Sequence, residues 1–272
     1  MSLSEHIANA EVASPKAAAA SNIPSCERPA RLMTIAVLWF LAALAVSFVA
    51  AFLFALIFGI HNGIVSSRHS GQPWVVPPWL IELVAAGALQ LALLLVALRR
   101  GRIVGHGDRR RGLGLLPLQR RRLLTGLLIA VIPIVGGWYV LLRHAPIPLP
   151  VHGVGELLTG VAQAPSALSV IGLLLVTGIL APVAEEWFFR GWLWSGLRQH
   201  WGAVPVACAT SCLWLLAHLP ESFTRPLFLL PIAVMLGVAR HACGSVRAPL
   251  LLHLTNNLFF VGLGLFALLN RI

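Results

Sequence analysis

MTIAVLWFLAALAVSFVAAFLFALIFGI, residues 33–60, decides the fold class. It carries no charge and is longer than the roughly 20 apolar residues that an α-helix needs to cross a bilayer. It is also about twice the length of a signal-peptide core, so it reads as a retained span. The pattern repeats outward from it. Apolar runs cover 79–98 and 123–142, a fourth begins near 167, and others cover 203–218, 226–240 and 248–269. With a short interfacial helix within 150–166, the expectation is an all-α polytopic transmembrane bundle of 7–8 helices. The whole chain agrees: 272 residues, 58% hydrophobic, 11% charged, mean hydropathy +0.86. Soluble domains carry about 25% charged residues.

The net charge of +11 does not describe a nucleic-acid-binding face. Nine arginines crowd into RRGRIVGHGDRRRGLGLLPLQRRR, residues 99–122, between two apolar runs. That is the mark of a cytoplasmic loop. It places the N-terminus inside as well, 143–166 outside, and the arginines at 198, 240 and 247 inside. Residues 1–30 read as a disordered cytoplasmic tail and 31–150 as N-terminal spans carrying the arginine-rich loop. The partner expected is the lipid bilayer, with no nucleic acid. The cysteines (Cys26, Cys208, Cys212, Cys243) show no metal-ligand spacing, and Cys208 and Cys212 read as small buried packing residues.

Ionisable side chains inside spans are costly, so each marks a functional hypothesis. In APVAEEWFFRGW, residues 181–192, Glu186 and Arg190 stand at i and i+4 and pair on one helix face. Glu185 points about 100° away and has no helical partner. A buried carboxylate of that kind suits a general base. Pro182 removes one helical hydrogen bond and predicts a kink just before the acids.

SCLWLLAHLP (211–220) supplies His218. WGAVP (201–205) reads as a turn, and a hairpin folded there brings Glu185 and His218 to one depth. LLLHLTNNLFF (250–260) places His253 and Asn257 at i and i+4, with Asn256 beside them as an interhelical hydrogen-bonding amide. On these helix ends His253 lies up to three turns nearer the cytoplasm than Glu185, unless the fourth and fifth helices project beyond the bilayer or one helix tilts.

This set suits activation of water for hydrolysis in two ways. Glu185 acts as base with His218 holding the water, while His253 and Asn257 donate to a developing oxyanion. Alternatively Glu185, His218 and His253 bind one divalent metal such as zinc, which acidifies the water. No HExxH motif decides between them.

The order EExxxR (Glu185, Glu186, Arg190), an aromatic with xxxH (Trp214, His218), then HxxxN (His253, Asn257) resembles the CPBP intramembrane proteases. That family includes type II CAAX prenyl endopeptidases and the bacterial abortive-infection and bacteriocin-immunity proteins. The resemblance covers about 165–262 and marks 151–272 as a protease core. It implies a helical membrane fold in the cell (inner) membrane, a cavity opening toward the cytoplasm, and peptide-bond hydrolysis in a peptide or membrane-protein substrate by a glutamate-dependent or metal-dependent route. It implies catalytic roles for Glu185, His218, His253 and Asn257, with Glu186 and Arg190 in support. Trp214 departs from the more usual phenylalanine, and only a packing change is expected of it. The rival class is non-enzymatic: a transporter with a proton relay, or an accessory or immunity protein that binds a partner.

Overall fold

The computed structural model describes residues 28–68, 76–148, 154–163 and 166–270. The expectations for the N-terminal tail and for Cys26 fall outside them. Nine helices run through the described residues: α1 Pro29–Arg68, α2 Pro78–Val104, α3 Arg109–Gly112, α4 Arg121–Arg143, α5 Val154–Gln163, α6 Ala167–Leu197, α7 Ala203–Leu216, α8 Arg225–Cys243 and α9 Arg247–Leu269. Six are long and apolar enough to cross a membrane; α7, at 14 residues, is shorter. Their outer faces carry large apolar side chains at high exposure, such as Phe48, Phe52 and Ile129. Apolar surface of that extent belongs against lipid. The chain is an integral membrane protein. The short helix anticipated in 150–166 is α5.

Helix α6 is the axis of the fold. Helix α2 lies along it on one side, with α1 outside α2, while α7 and α9 flank its other faces and α8 packs between α7, α9 and α4. Its core face is heavy in aromatic side chains: Phe188, Trp192 and the facing Trp214 are buried, and Trp192 meets the Phe188 ring edge-on.

Around Pro182, where a kink is expected, the helix widens, with π-helical turns over Leu174–Leu180 and again over Glu186–Leu193. In the first, the Ala181 N–H reaches back five residues to the Val176 carbonyl, so the Thr177 carbonyl loses its α-helical donor. The carbonyl five residues before Pro182, which has no N–H to give, is that same Thr177 oxygen. The second π-helical turn repeats this arrangement. Trp194 N–H reaches the Phe189 carbonyl, and the Arg190 carbonyl is left to others.

The turn at 201–202 forms as the sequence predicts, with Gly202 capping α7 and Pro205 in its first turn. Two readings are corrected. Cys208 and Cys212 are exposed on α7 rather than buried. Arg240 is not a loop residue: it lies within α8, buried, with its guanidinium over the Trp194 ring at 5.2 Å.

The depth mismatch at His253 closes through the loops. Val246 N–H donates to the Gly114 carbonyl (3.0 Å), Ser245 Oγ to the Leu116 carbonyl (2.7 Å), and Arg240 Nε to the Arg190 carbonyl (2.8 Å). Gly114 has φ +64°, and a Cβ there would stand 2.3 Å from Arg240 Nη2. The α8–α9 turn is therefore docked level with Arg190. Helix α6 continues beyond that level to Leu197, where Gly196 packs on Leu32 at the start of α1. The α6–α7 hairpin thus projects past the neighbouring turn by about 10 Å, from a rise of 1.5 Å per residue.

Candidate functional site

Glu185 and Glu186, adjacent in α6, face different neighbours. Both are buried: Glu185 is 8% exposed and Glu186 is fully enclosed. Glu186 Oε1 accepts from Arg190 Nη1 at 3.2 Å, as the i, i+4 spacing predicts. The same oxygen also accepts from His253 Nδ1 at 2.9 Å, a bond that the sequence did not indicate. Charge-assisted bonds of this kind are what make a buried acid tolerable. They also fix the His253 ring, because a nitrogen bonded to a carboxylate carries a proton.

Glu185 has no partner on its own helix, but it is not a lone carboxylate. Gln90 Nε2 of α2 donates to Oε1 at 3.1 Å, and Trp214 Nε1 of α7 donates to Oε2 at 2.6 Å. Each oxygen receives one hydrogen bond and keeps a second lone-pair direction.

The structure revises the part expected of Trp214. It is 1% exposed and stands at the centre of the site. Besides bonding Glu185, its ring meets His218 edge-on at 4.6 Å and His253 at 5.6 Å, and Arg190 lies over its face at 5.1 Å. A phenylalanine would keep these ring contacts but has no N–H.

His218 lies one residue beyond the Ala217 cap of α7, in the turn of residues 217–221, and not within the helix as the apolar run indicated. Its Nδ1 donates to the Trp214 carbonyl at 2.8 Å, which leaves Nε2 as the acceptor of the neutral ring. Glu221 Oε1 is 3.9 Å from that nitrogen, and Glu221 pairs in turn with Arg225. Asn257 Nδ2 donates to the Thr177 carbonyl at 3.0 Å, the oxygen stranded by the first π-helical turn. Asn256 Nδ2 donates to Asn257 Oδ1 at 3.2 Å.

Glu185, His218, His253 and Asn257 all line one cavity of about 510 Å³, together with Gln90 and Trp214. Its walls continue to Glu82, Leu157, Glu221 and Arg225. Those residues mark the end of the bundle opposite the arginine-rich loop. Toward the arginine end, the interior beyond Glu185 is filled by Phe188, Trp192 and Leu193. The cavity thus extends away from the arginine-rich loop.

The proposed metal set, Glu185 with His218 and His253, does not converge. Among the described residues no three His, Cys, Asp or Glu side chains are placed to hold one ion. Both Glu185 oxygens and one nitrogen of each histidine already serve other partners.

Residues 167–259 match the family described as type II CAAX prenyl endopeptidase Rce1-like. The matched region, about a third of the chain, is similar to that family. The match takes in all three motifs and leaves out α1 to α5. It agrees with the resemblance read from the sequence and points to a membrane protease acting on peptides. Neither a curated protein nor a solved structure matches the chain.

Gln90 is the site residue that the sequence reading passed over. The signal was present: a lone amide in the apolar run 79–98 has no reason to be there unless something buried accepts from it.

Proposed function

We propose that the protein is an intramembrane endopeptidase in which Glu185 is the general base. The observation that carries this is the placement of Glu185 at the blind end of a cavity whose wall also bears His218, His253 and Asn257. The cavity holds a peptide segment with its scissile carbonyl near the acid. A water lies between Glu185 and His218, with His218 Nε2 accepting one of its hydrogen bonds. Glu185 takes the other proton as the water oxygen attacks the carbonyl carbon.

The oxyanion then needs donors. Asn257 Nδ2 has a second proton beyond the one given to Thr177. His253 donates through Nε2 when it carries both protons, with Glu186 fixing the ring through Nδ1. Glu186 with Arg190 is thus a positioning pair for His253. Glu185 passes its proton to the leaving nitrogen as the C–N bond breaks, giving a free carboxylic acid and an amine. The chain's own side chains supply every proton transfer in this scheme.

The transporter reading requires a relay of titratable groups across the bundle. The apolar plug of Phe188, Trp192 and Leu193 on the arginine side of Glu185 argues against it.

The test is cleavage of a panel of transmembrane-segment peptides by the purified protein, with Glu185→Ala and Glu186→Ala compared, with and without chelator. Glu185→Ala is expected to abolish turnover with the fold intact. Glu186→Ala strands Arg190 in an apolar core and costs about 3–5 kcal/mol of stability. Full activity in Glu185→Ala would refute the assignment, and loss on chelation that zinc restores would replace it with the metal route.

A further inference from the structure

We propose a second site, at the arginine end of the bundle, that binds the phosphate of an anionic phospholipid. A cavity of about 530 Å³ lies there, lined by Arg110, Arg121 and Arg247 and by Leu115, Leu116, Pro117 and Leu118. The three arginines come from three elements: α3, the first residue of α4 and the first residue of α9. They converge only because the loop between α3 and α4 is pinned. Ser245 and Val246 bond its carbonyls, and Gln119 N–H donates to the Cys243 carbonyl at 3.0 Å.

None of the three guanidinium groups has a hydrogen bond or ion pair among the described residues, and each is exposed. The one acid in the segment, Asp108, does not neutralise them. Its carboxylate caps α3, accepting from the Arg110 and Arg111 backbone at 2.8 and 3.4 Å. The cluster therefore lacks an anion, and a phosphate oxygen pair is the planar guanidinium's natural counterpart.

Two observations favour a lipid over a soluble phosphate. Arg121 and Arg247 each open a membrane-crossing helix, which sets them at headgroup level. The pocket is also half apolar: Leu116 is 44% exposed beside the charges, and Leu123 and Leu251 continue an exposed apolar track along α4 and α9. A headgroup among the arginines leaves an acyl chain on that track.

The site is independent of any proteolytic activity, and its test needs none. Full-length protein in mild detergent is titrated with phosphatidylglycerol and with phosphatidylcholine, and bound lipid is counted by native mass spectrometry. The variants are Arg110→Gln/Arg121→Gln/Arg247→Gln and a charge-matched control outside the pocket, Arg99→Gln/Arg102→Gln/Arg109→Gln. An arginine near anionic lipid contributes about fivefold in affinity, so the pocket variant is expected to lose about a hundredfold for phosphatidylglycerol. The control should keep its preference for phosphatidylglycerol over phosphatidylcholine. Equal loss in both variants would reduce the effect to diffuse charge and overturn the site. Leu116→Asn, a neutral change at an exposed position, should weaken lipid binding as well. If instead inorganic phosphate binds with the same arginine dependence and Leu116→Asn changes nothing, the lipid assignment fails.

Discussion

Replacing Trp214 by phenylalanine separates two contributions that the native side chain combines. The ring contacts with His218, His253 and Arg190 survive, while the Nε1 donor to Glu185 Oε2, at 2.6 Å, is lost. A hydrogen bond to a charged acceptor contributes about 1.5–3 kcal/mol. The smaller ring adds about 1 kcal/mol of cavity cost at a position that is 1% exposed. Glu185 borders an open cavity, so water can take up the freed lone pair, and the hydrogen-bond part falls toward its lower limit.

A double-mutant cycle isolates that part without any substrate. Trp214→Phe, Glu185→Met and the double variant are unfolded in mixed micelles with rising denaturing detergent. Cavity terms cancel, and a coupling of about 1.5 kcal/mol is expected between the two sites. Additivity within about 0.5 kcal/mol would show that the bond does not contribute, and Trp214 would revert to packing alone. In the cleavage assay the same variant should lower kcat with little change in KM, because the donor positions the base and does not touch substrate.

Two further outcomes follow from the geometry. Asn257→Leu leaves the Thr177 carbonyl unsatisfied in a buried helix and should cost about 1–3 kcal/mol, read by thermal unfolding, besides removing an oxyanion donor. Cysteines placed at Ser222 near the cavity mouth and at Arg110 in the arginine-rich loop, with Cys26, Cys208 and Cys212 changed to serine, should react with a membrane-impermeant thiol reagent from opposite faces of the membrane. Labelling of both from one face would overturn the placement of the cavity mouth away from the arginine loop.

The spans, the 201–202 turn and the Glu186–Arg190 pair were legible because each rests on local spacing: run length, turn residues, i and i+4. What escaped the sequence lies between helices far apart in the chain. Gln90 reaches Glu185 across 95 positions and His253 reaches Glu186 across 67. No periodicity encodes such a meeting. Arg240 was misplaced for a related reason, since charge near a helix end reads as loop until a buried carbonyl is found to receive it. Trp214 was read by size alone, when its single N–H mattered more.

The two π-helical turns of α6 carry a consequence for how this helix tolerates change in length. Each holds one residue more than an α-helical turn needs, yet the flanking segments keep their phase. Deleting one residue within 174–176 lets the Ala181 N–H pair with the Thr177 carbonyl four residues back, without turning Glu185 away from its cavity. The deletion would thereby withdraw the carbonyl offered to Asn257. Where the acids point and how the opposite wall is held are therefore separable by chain length, with no catalytic side chain altered.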